Sequence, residues 1–597
     1  MKRSVIVALA LLLWAVSLTA MPAYPYPIQY TQPNGTTIMI RLHGDEFGHW
    51  ITDSQGRVLE KDADGFLKPS GATPAMMARR AAENRAARLQ GLRAPARGQN
   101  QGQRRFLVIL VEFSDVSFKD SNPNQAFTDL MNKQGYSVNG ATGSARDYYY
   151  EVSHHQFEPV FDVFGPVKLS QPMKYYGANT SNGDDKAPEE AVIEGCTLLK
   201  DQIDFSLYDN DGDGEVDLVY MYYAGYGEAD TGKTNTIWPH QWELDSAGKS
   251  FSDDGKKVNS YACSNEIKYD GSLVGIGVSC HEFGHAIGLP DFYDTDYETN
   301  GFCASLYNYS LMDSGGYNND TRTPPYLNIE ELCMLGWADE SAIKEMPASG
   351  SVTLPPVSDY VAYKTPTDTN GEYFLYECRH TAGFDAYILS GGLIVYHVDK
   401  SNHKVNLAGG GQLTARTLWE YWQNYNYING NGNHPCFYIV PAAGQNNLRF
   451  GYKYYESYGQ YFFDDSYSGQ IPFPGKKSIN TYQAMSWDGE LSRYVLSNIK
   501  YSGGVVTFDV KHAGATSNLD FCTIANPGKG VYAAGETFRL EIEESVARPV
   551  ESVSWSFDGA AVQAESVVLT AGKHTVEAEL LLKNGKKNVL TLELSVR

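Results

Sequence analysis

Phe106-Leu107-Val108-Ile109-Leu110-Val111-Glu112-Phe113 is a nearly unbroken apolar run of strand length. Such a run suits a strand buried on both faces, so a folded unit is expected to begin here. Upstream, residues 21 to about 72 alternate in short stretches such as Thr37 to Leu42, broken by Asn34-Gly35, Gln55-Gly56 and Asp64-Gly65. That pattern predicts a small β-rich unit. Residues 74–92, rich in Ala, Arg and Leu, predict a helix, and 93–105 read as polar and flexible. Parts of 146–160 and 186–203 have helical character, and Val216 to Ala224 predicts a second strand. Past about 345 the pattern turns to short strands with Gly, Asn and Pro turns, among them Tyr373 to Glu377 and Gly392 to Val398. Alternation at 536–543, 550–557, 565–569, 574–582 and 588–596 predicts an immunoglobulin-like sandwich at the end.

The first residues read differently. Met1-Lys2-Arg3 is a positive segment, Val5 to Trp14 is apolar, and Ser17-Leu18-Thr19-Ala20 offers a cleavage site despite Leu18. This is the form of a secretory signal peptide; the apolar run is short for a membrane anchor. The mature chain is expected to be secreted, with no transmembrane span. The expected division is 1–20 signal peptide, 21–105 propeptide and Arg-rich linker, 106–345 catalytic domain, 346–515 β-rich domain and 516–597 terminal sandwich. With 48 Lys+Arg against 71 Asp+Glu the net charge is −23, which argues against a nucleic-acid partner. The span 79–105 nevertheless holds eight Arg and one acid, Glu83. It reads either as a solvated linker or as a site where a processing protease separates the propeptide. Export permits disulfides, but eight Cys without a CxxC pair give neither a dense scaffold nor a cysteine zinc site.

The chemistry concentrates in His281-Glu282-Phe283-Gly284-His285-Ala286-Ile287-Gly288-Leu289-Pro290-Asp291. His281 and His285 are four apart and share one face of a helix, so two imidazoles can hold one zinc. Glu282 can reach a water without binding the metal. Gly288 suits a left-handed helix end and Pro290 forbids continuation. Asp291 then returns as a third ligand, leaving a fourth position open. Met312 follows in Ser310-Leu311-Met312-Asp313-Ser314-Gly315-Gly316-Tyr317, a tight turn that can place a thioether floor under the metal. Tyr317 is a candidate oxyanion donor, with core packing as its alternative.

The strings HEFGHAIGLPDFYD and SLMDSGGY resemble the M6 metallopeptidases, the immune inhibitor A-like group of secreted bacterial proteins. RDYYYEVSHHQF, DNDGDGEVDLVYMYYAG and GGLIVYHVD are similar to further segments of that family, over roughly 106–400. The resemblance implies a secreted zinc endopeptidase with His281, His285 and Asp291 as ligands, Glu282 as general base, and protein or peptide substrates. It implies an α+β, metzincin-like catalytic domain: a mixed sheet and a long active-site helix, preceded by a propeptide and followed by β-rich domains. Asp291 stands where His is commoner in metzincins, a departure usual for the M6 group; Asp294 and Asp296 are the lesser choices.

Two more expectations follow from motifs. Asp209, Asp211, Asp213, Glu215 and Asp217 alternate through a loop with Gly at its sixth position, the start of a calcium loop. Tyr220 holds the twelfth position, so the bidentate Glu is absent; the alternative is a metal-free acidic turn. In the propeptide, His43 to His49 offers Asp45 as a group that replaces the catalytic water, against the plainer reading of a polar turn. Two further functional readings are weighed: an adhesin or glycan binder using aromatic stretches such as 453–467, and a zinc hydrolase acting on a non-peptide bond.

Overall fold

A computed structural model describes the chain apart from residues 1–20, 63, 89–99, 181–183, 296–300, 402, 407–411, 416–425, 456–459, 513–521, 527–531, 545–549 and 583–586. The signal-peptide reading, Arg93 and Arg97 of the linker, and Asp296 lie outside the described residues.

The strand begins at Gly102, four residues before the apolar run, and ends at Glu112. It sits inside a five-stranded sheet in the order His240–Glu243, Ser260–Ile267, Val219–Tyr226, Gly102–Glu112, Phe157–Lys168. All neighbours are parallel except the edge strand His240–Glu243. Because successive side chains point to opposite faces, Leu107, Ile109 and Val111 pack beneath helix Pro188–Leu199. Phe106, Val108 and Leu110 face the other way, into the core that receives helix Gly277–Ala286. Both faces are covered, which is why the run carries no polar alternation. Of 146–160, expected to be helical in part, 145–152 is helix and strand runs from 157, while the strand expected over Val216 to Ala224 is divided into 215–216 and 219–226.

The amino-terminal unit is a five-stranded meander from Ile28–Thr31 to Leu67–Pro69, followed by helix Pro74–Arg88. Gly48 lets the helix approach: a Cβ there would lie 2.9 Å from that of Ala81. Arg85 of this helix is buried against Asp45 at 2.7 Å, and Arg104 and Arg105 belong to the strand, so these linker arginines are structural.

Downstream, a sheet containing Glu372–Arg379, Gly392–Asp399 and Phe437–Ile439 has two apolar faces. Leu375, Tyr396, Phe437 and Ile439 join the core around the site helix. Phe374, Tyr376 and Val395 pack on a second sheet through Leu354, Leu496, Val506 and Phe508. The last segment forms antiparallel strands, with Val550–Phe557, Gly572–Leu582 and Lys587–Val596 in one sheet. Among the described residues seven cysteines are unpaired thiols, and no helix is long and apolar enough to cross a membrane.

Candidate metal centre

The site helix runs only from Gly277 to Ala286, ten residues, where a long helix was expected. Its start is set by packing: a Cβ on Gly277 would fall 1.9 Å from the Gly316 carbonyl oxygen. Its end is set locally, by Gly288 at φ 112°. The underside is anchored by Phe283, whose ring meets Phe106 at 4.7 Å and Tyr149 at 5.0 Å.

One turn apart, the His281 and His285 Nε2 atoms lie 3.0 Å from each other. Asp291 Oδ1 lies 3.3 Å from both. Each Nδ1 is 2.9 or 2.8 Å from a carbonyl oxygen, that of Leu311 or Leu289. A carbonyl only accepts, so both Nδ1 atoms carry the proton and both Nε2 lone pairs point inward. Asp291 Oδ1 is buried and has no hydrogen-bond partner. Two imidazole Nε2 atoms and one carboxylate oxygen, all buried, therefore converge on one point. A tetrahedral centre with bonds of about 2.0–2.1 Å sets its ligands about 3.3 Å apart, so the donor set fits zinc.

Met312 lies beneath, with its Sδ 2.9 Å from where a Gly284 Cβ would stand. Its carbonyl accepts from Phe292 N–H at 2.8 Å, which ties the Met312 turn to the Asp291 loop. Asp294 is directed elsewhere: its Oδ2 accepts from the Cys303 N–H.

Glu282 is fully buried; its Oε1 accepts from Met21 N–H at 2.9 Å and its Oε2 has no partner. Burial pushes its carboxyl up to about 8, against lowering by His281 and the Met21 N–H. The amino-terminal segment thus reaches the site, but through Met21 and not through Asp45. Asp45 is held by Arg85 and by Phe47 N–H, because a buried carboxylate takes the nearest cation. Tyr317 is beside the site, and its hydroxyl donates to the Pro22 carbonyl at 2.5 Å. Trp238 Nε1 donates to Met21 O, and Tyr24 N–H to Ala229 O. His49 stacks on Trp238 and pairs with Glu228 at 2.9 Å, fastening the meander to the same rim.

In the acidic loop, carboxylates of Asp209, Asp211 and Asp217 come within 4.8 Å of one another. Asp213 and Glu215 are outside that group; Glu215 pairs with Lys257 at 3.2 Å. Lys256 Nζ lies 2.5 Å from Asp209.

Residues 92–327 match the profile of the immune inhibitor A peptidase M6 catalytic domain. This segment belongs to the M6 peptidases. Immune inhibitor A of Bacillus thuringiensis subsp. alesti is 30% identical over 35% of this chain and 36% of its own length. The pre-pro-metalloprotease PrtV of Vibrio cholerae serotype O1 (strain M66-2) is 27% identical over 36% of this chain and 28% of its own. The matches thus span about a third of each relative. Among solved structures, wild-type OgpA from Akkermansia muciniphila covers 84% of this chain at 10% identity and a TM-score of 0.19, too low to carry fold or function across. The segment matched to the M6 catalytic domain has mixed α/β content, and it contains the whole histidine–aspartate cluster.

Sequence reasoning found the cluster and the Met312 turn. It missed Asn426, Trp238 and the reach of Met21, for which no local spacing gives a signal.

Proposed function

We propose that the chain is a secreted, zinc-dependent endopeptidase made as a proenzyme. The observation that supports this most is the convergence of His281 Nε2, His285 Nε2 and Asp291 Oδ1 beside a buried carboxylate, Glu282, that takes no part in the triad. Zinc held by those three atoms would acidify a water and polarise the scissile carbonyl. Glu282 takes the proton of the attacking water and delivers it to the leaving amine nitrogen. The Tyr317 hydroxyl, engaged by Pro22 in the described state, serves the oxyanion once that carbonyl departs.

Met21 to Tyr24 supports the proenzyme reading, since it covers Glu282 and occupies the Tyr317 hydroxyl. Removal of a signal peptide after Ala20 would turn the Met21 N–H into an α-ammonium facing the Glu282 carboxylate, a stronger charge-assisted contact. Peptidase activity then requires release of the amino-terminal unit, by a cut in the stretch containing Arg93 and Arg97. The family and its named relatives favour a protein substrate over the adhesin and non-peptide alternatives.

Casein zymography of intact and linker-cleaved protein, with and without 1,10-phenanthroline, tests this reading. Clearing is expected from the cleaved form alone, lost with chelator and restored by zinc. Chelator-resistant clearing, or cleaved protein that carries zinc and hydrolyses no protein, would reject it.

We also propose a structural calcium ion at Asp209, Asp211 and Asp217, where the ion would displace the Lys256 ammonium. Calcium at about 100 times its Kd would add about 2.7 kcal/mol and raise the melting temperature by a few degrees. An unchanged melting curve in millimolar calcium would leave the loop an acidic turn.

A further inference from the structure

Asp291 is gripped by a side chain from outside the M6 segment. Asn426 lies 135 residues downstream, well past the matched region that ends at 327. It is 2% exposed, and its φ of 46° is in the left-handed region that Asn tolerates better than most residues. Its Oδ1 accepts from the Asp291 N–H at 2.8 Å, and its Nδ2 donates to Asp291 Oδ2 at 2.7 Å. One carboxamide therefore holds both the backbone and the carboxylate of a single residue.

This grip selects the atom that Asp291 presents. Oδ2 is engaged, while Oδ1 is left without a hydrogen bond, 3.3 Å from both imidazole Nε2 atoms. Rotation of the carboxylate would break the Asn426 contact, so Oδ1 stays aimed at the imidazoles. An amide also suits the position electrostatically: it donates to the carboxylate without adding a charge that competes with a metal. Three residues further on, Asn429 Nδ2 donates to the carbonyls of Phe292 and Phe437 at 2.6 Å each, and Asn429 Oδ1 accepts from Phe437 N–H. The turn that carries Asn426 is thereby sewn to the Asp291 loop on one side and to strand Phe437–Ile439 on the other.

We propose that Asn426 is a positioning residue for the carboxylate ligand, and that the β-rich region after the M6 segment thereby completes the metal centre. The inference rests on the reading of His281, His285 and Asp291 as a zinc tripod. Contacts that orient a ligand from behind are commonly worth about 10- to 100-fold in metal affinity.

The test compares zinc affinity, by chelator competition, of the full-length protein with that of Asn426→Ala and Asn426→Gly. Both delete the carboxamide; Gly also fits the positive φ, so it remains informative if backbone strain prevents the Ala variant from folding. Melting temperatures of the zinc-free and zinc-loaded forms are read in parallel. The expected result is a loss of affinity of about 10- to 100-fold and a smaller zinc-induced rise in melting temperature. A purely structural role would lower both melting temperatures together and leave zinc affinity at its starting value, which would overturn the proposal. Failure of the unsubstituted protein to bind zinc would instead sink the tripod reading, and this inference with it.

Discussion

Glu282→Gln is expected to lower kcat/KM of the linker-cleaved protein on casein by about 10²–10⁴-fold, while one zinc per chain is retained. Glutamine fills the same volume but cannot take the proton of the attacking water. The metal should stay because the three converging donors are His281, His285 and Asp291, and Glu282 is not among them. The same substitution also changes the latent state. The Met21 N–H can still donate to the amide oxygen, but the ionic part of a contact with a free Met21 amine is lost. Zymography and metal analysis on the same preparation separate the two effects. Full activity in the cleaved variant would remove Glu282 from the reaction, and loss of zinc would make it a ligand.

Arg379→Met is expected to destabilise the chain by about 3–5 kcal/mol, read as a shift in the denaturant midpoint. Arg379 is completely buried on strand Glu372–Arg379. Its guanidinium donates to both Asp385 oxygens, at 2.7 and 2.5 Å, and to the carbonyls of Tyr309 and Tyr326, at 2.9 and 2.8 Å. Removing it leaves one buried carboxylate that still accepts from the Tyr326 N–H but has lost its cation, and two carbonyls short of a donor. The stranded Asp385 charge carries most of the cost, so Arg379→Met with Asp385→Leu should recover much of the loss. Tyr309 precedes the Met312 turn by three residues, so zinc affinity should fall along with stability. A shift below about 1 kcal/mol would show that water reaches Asp385 in the variant, and that the pair does not clamp the turn.

Arg379 and Asn426 also mark where sequence reading stops. Asn426 bonds Asp291, and Arg379 bonds the Tyr309 carbonyl just before the Met312 turn, from segments whose hydrophobic pattern says only that short strands and turns are present. Neither position carries a spacing signal, because Asn426 meets Asp291 across 135 residues, and Arg379, though its Asp385 partner is local, meets the Tyr309 and Tyr326 carbonyls across 70 and 53. The length of the site helix failed for a related reason. Periodicity through 277–286 does not say where the helix must begin; the close approach of Gly277 to the Gly316 carbonyl does. Asp45 was readable as a carboxylate in a turn, but its partner Arg85, forty residues on, decided that it would be held away from Glu282.

What the chain determines by itself is local. An i, i+4 pair of imidazoles shares a helix face, a glycine at φ 112° ends that helix, and an aspartate follows at a reach set by the turn. The six apolar residues from Phe106 to Val111 likewise require burial on both sides wherever the strand is placed. Tertiary structure alone decided which oxygen of Asp291 faces the imidazoles, which carbonyl orients each ring, and which segment covers Glu282. Those outcomes depend on hydrogen bonds between chain-distant groups, whose directions exist only once the sheets and the site helix have packed.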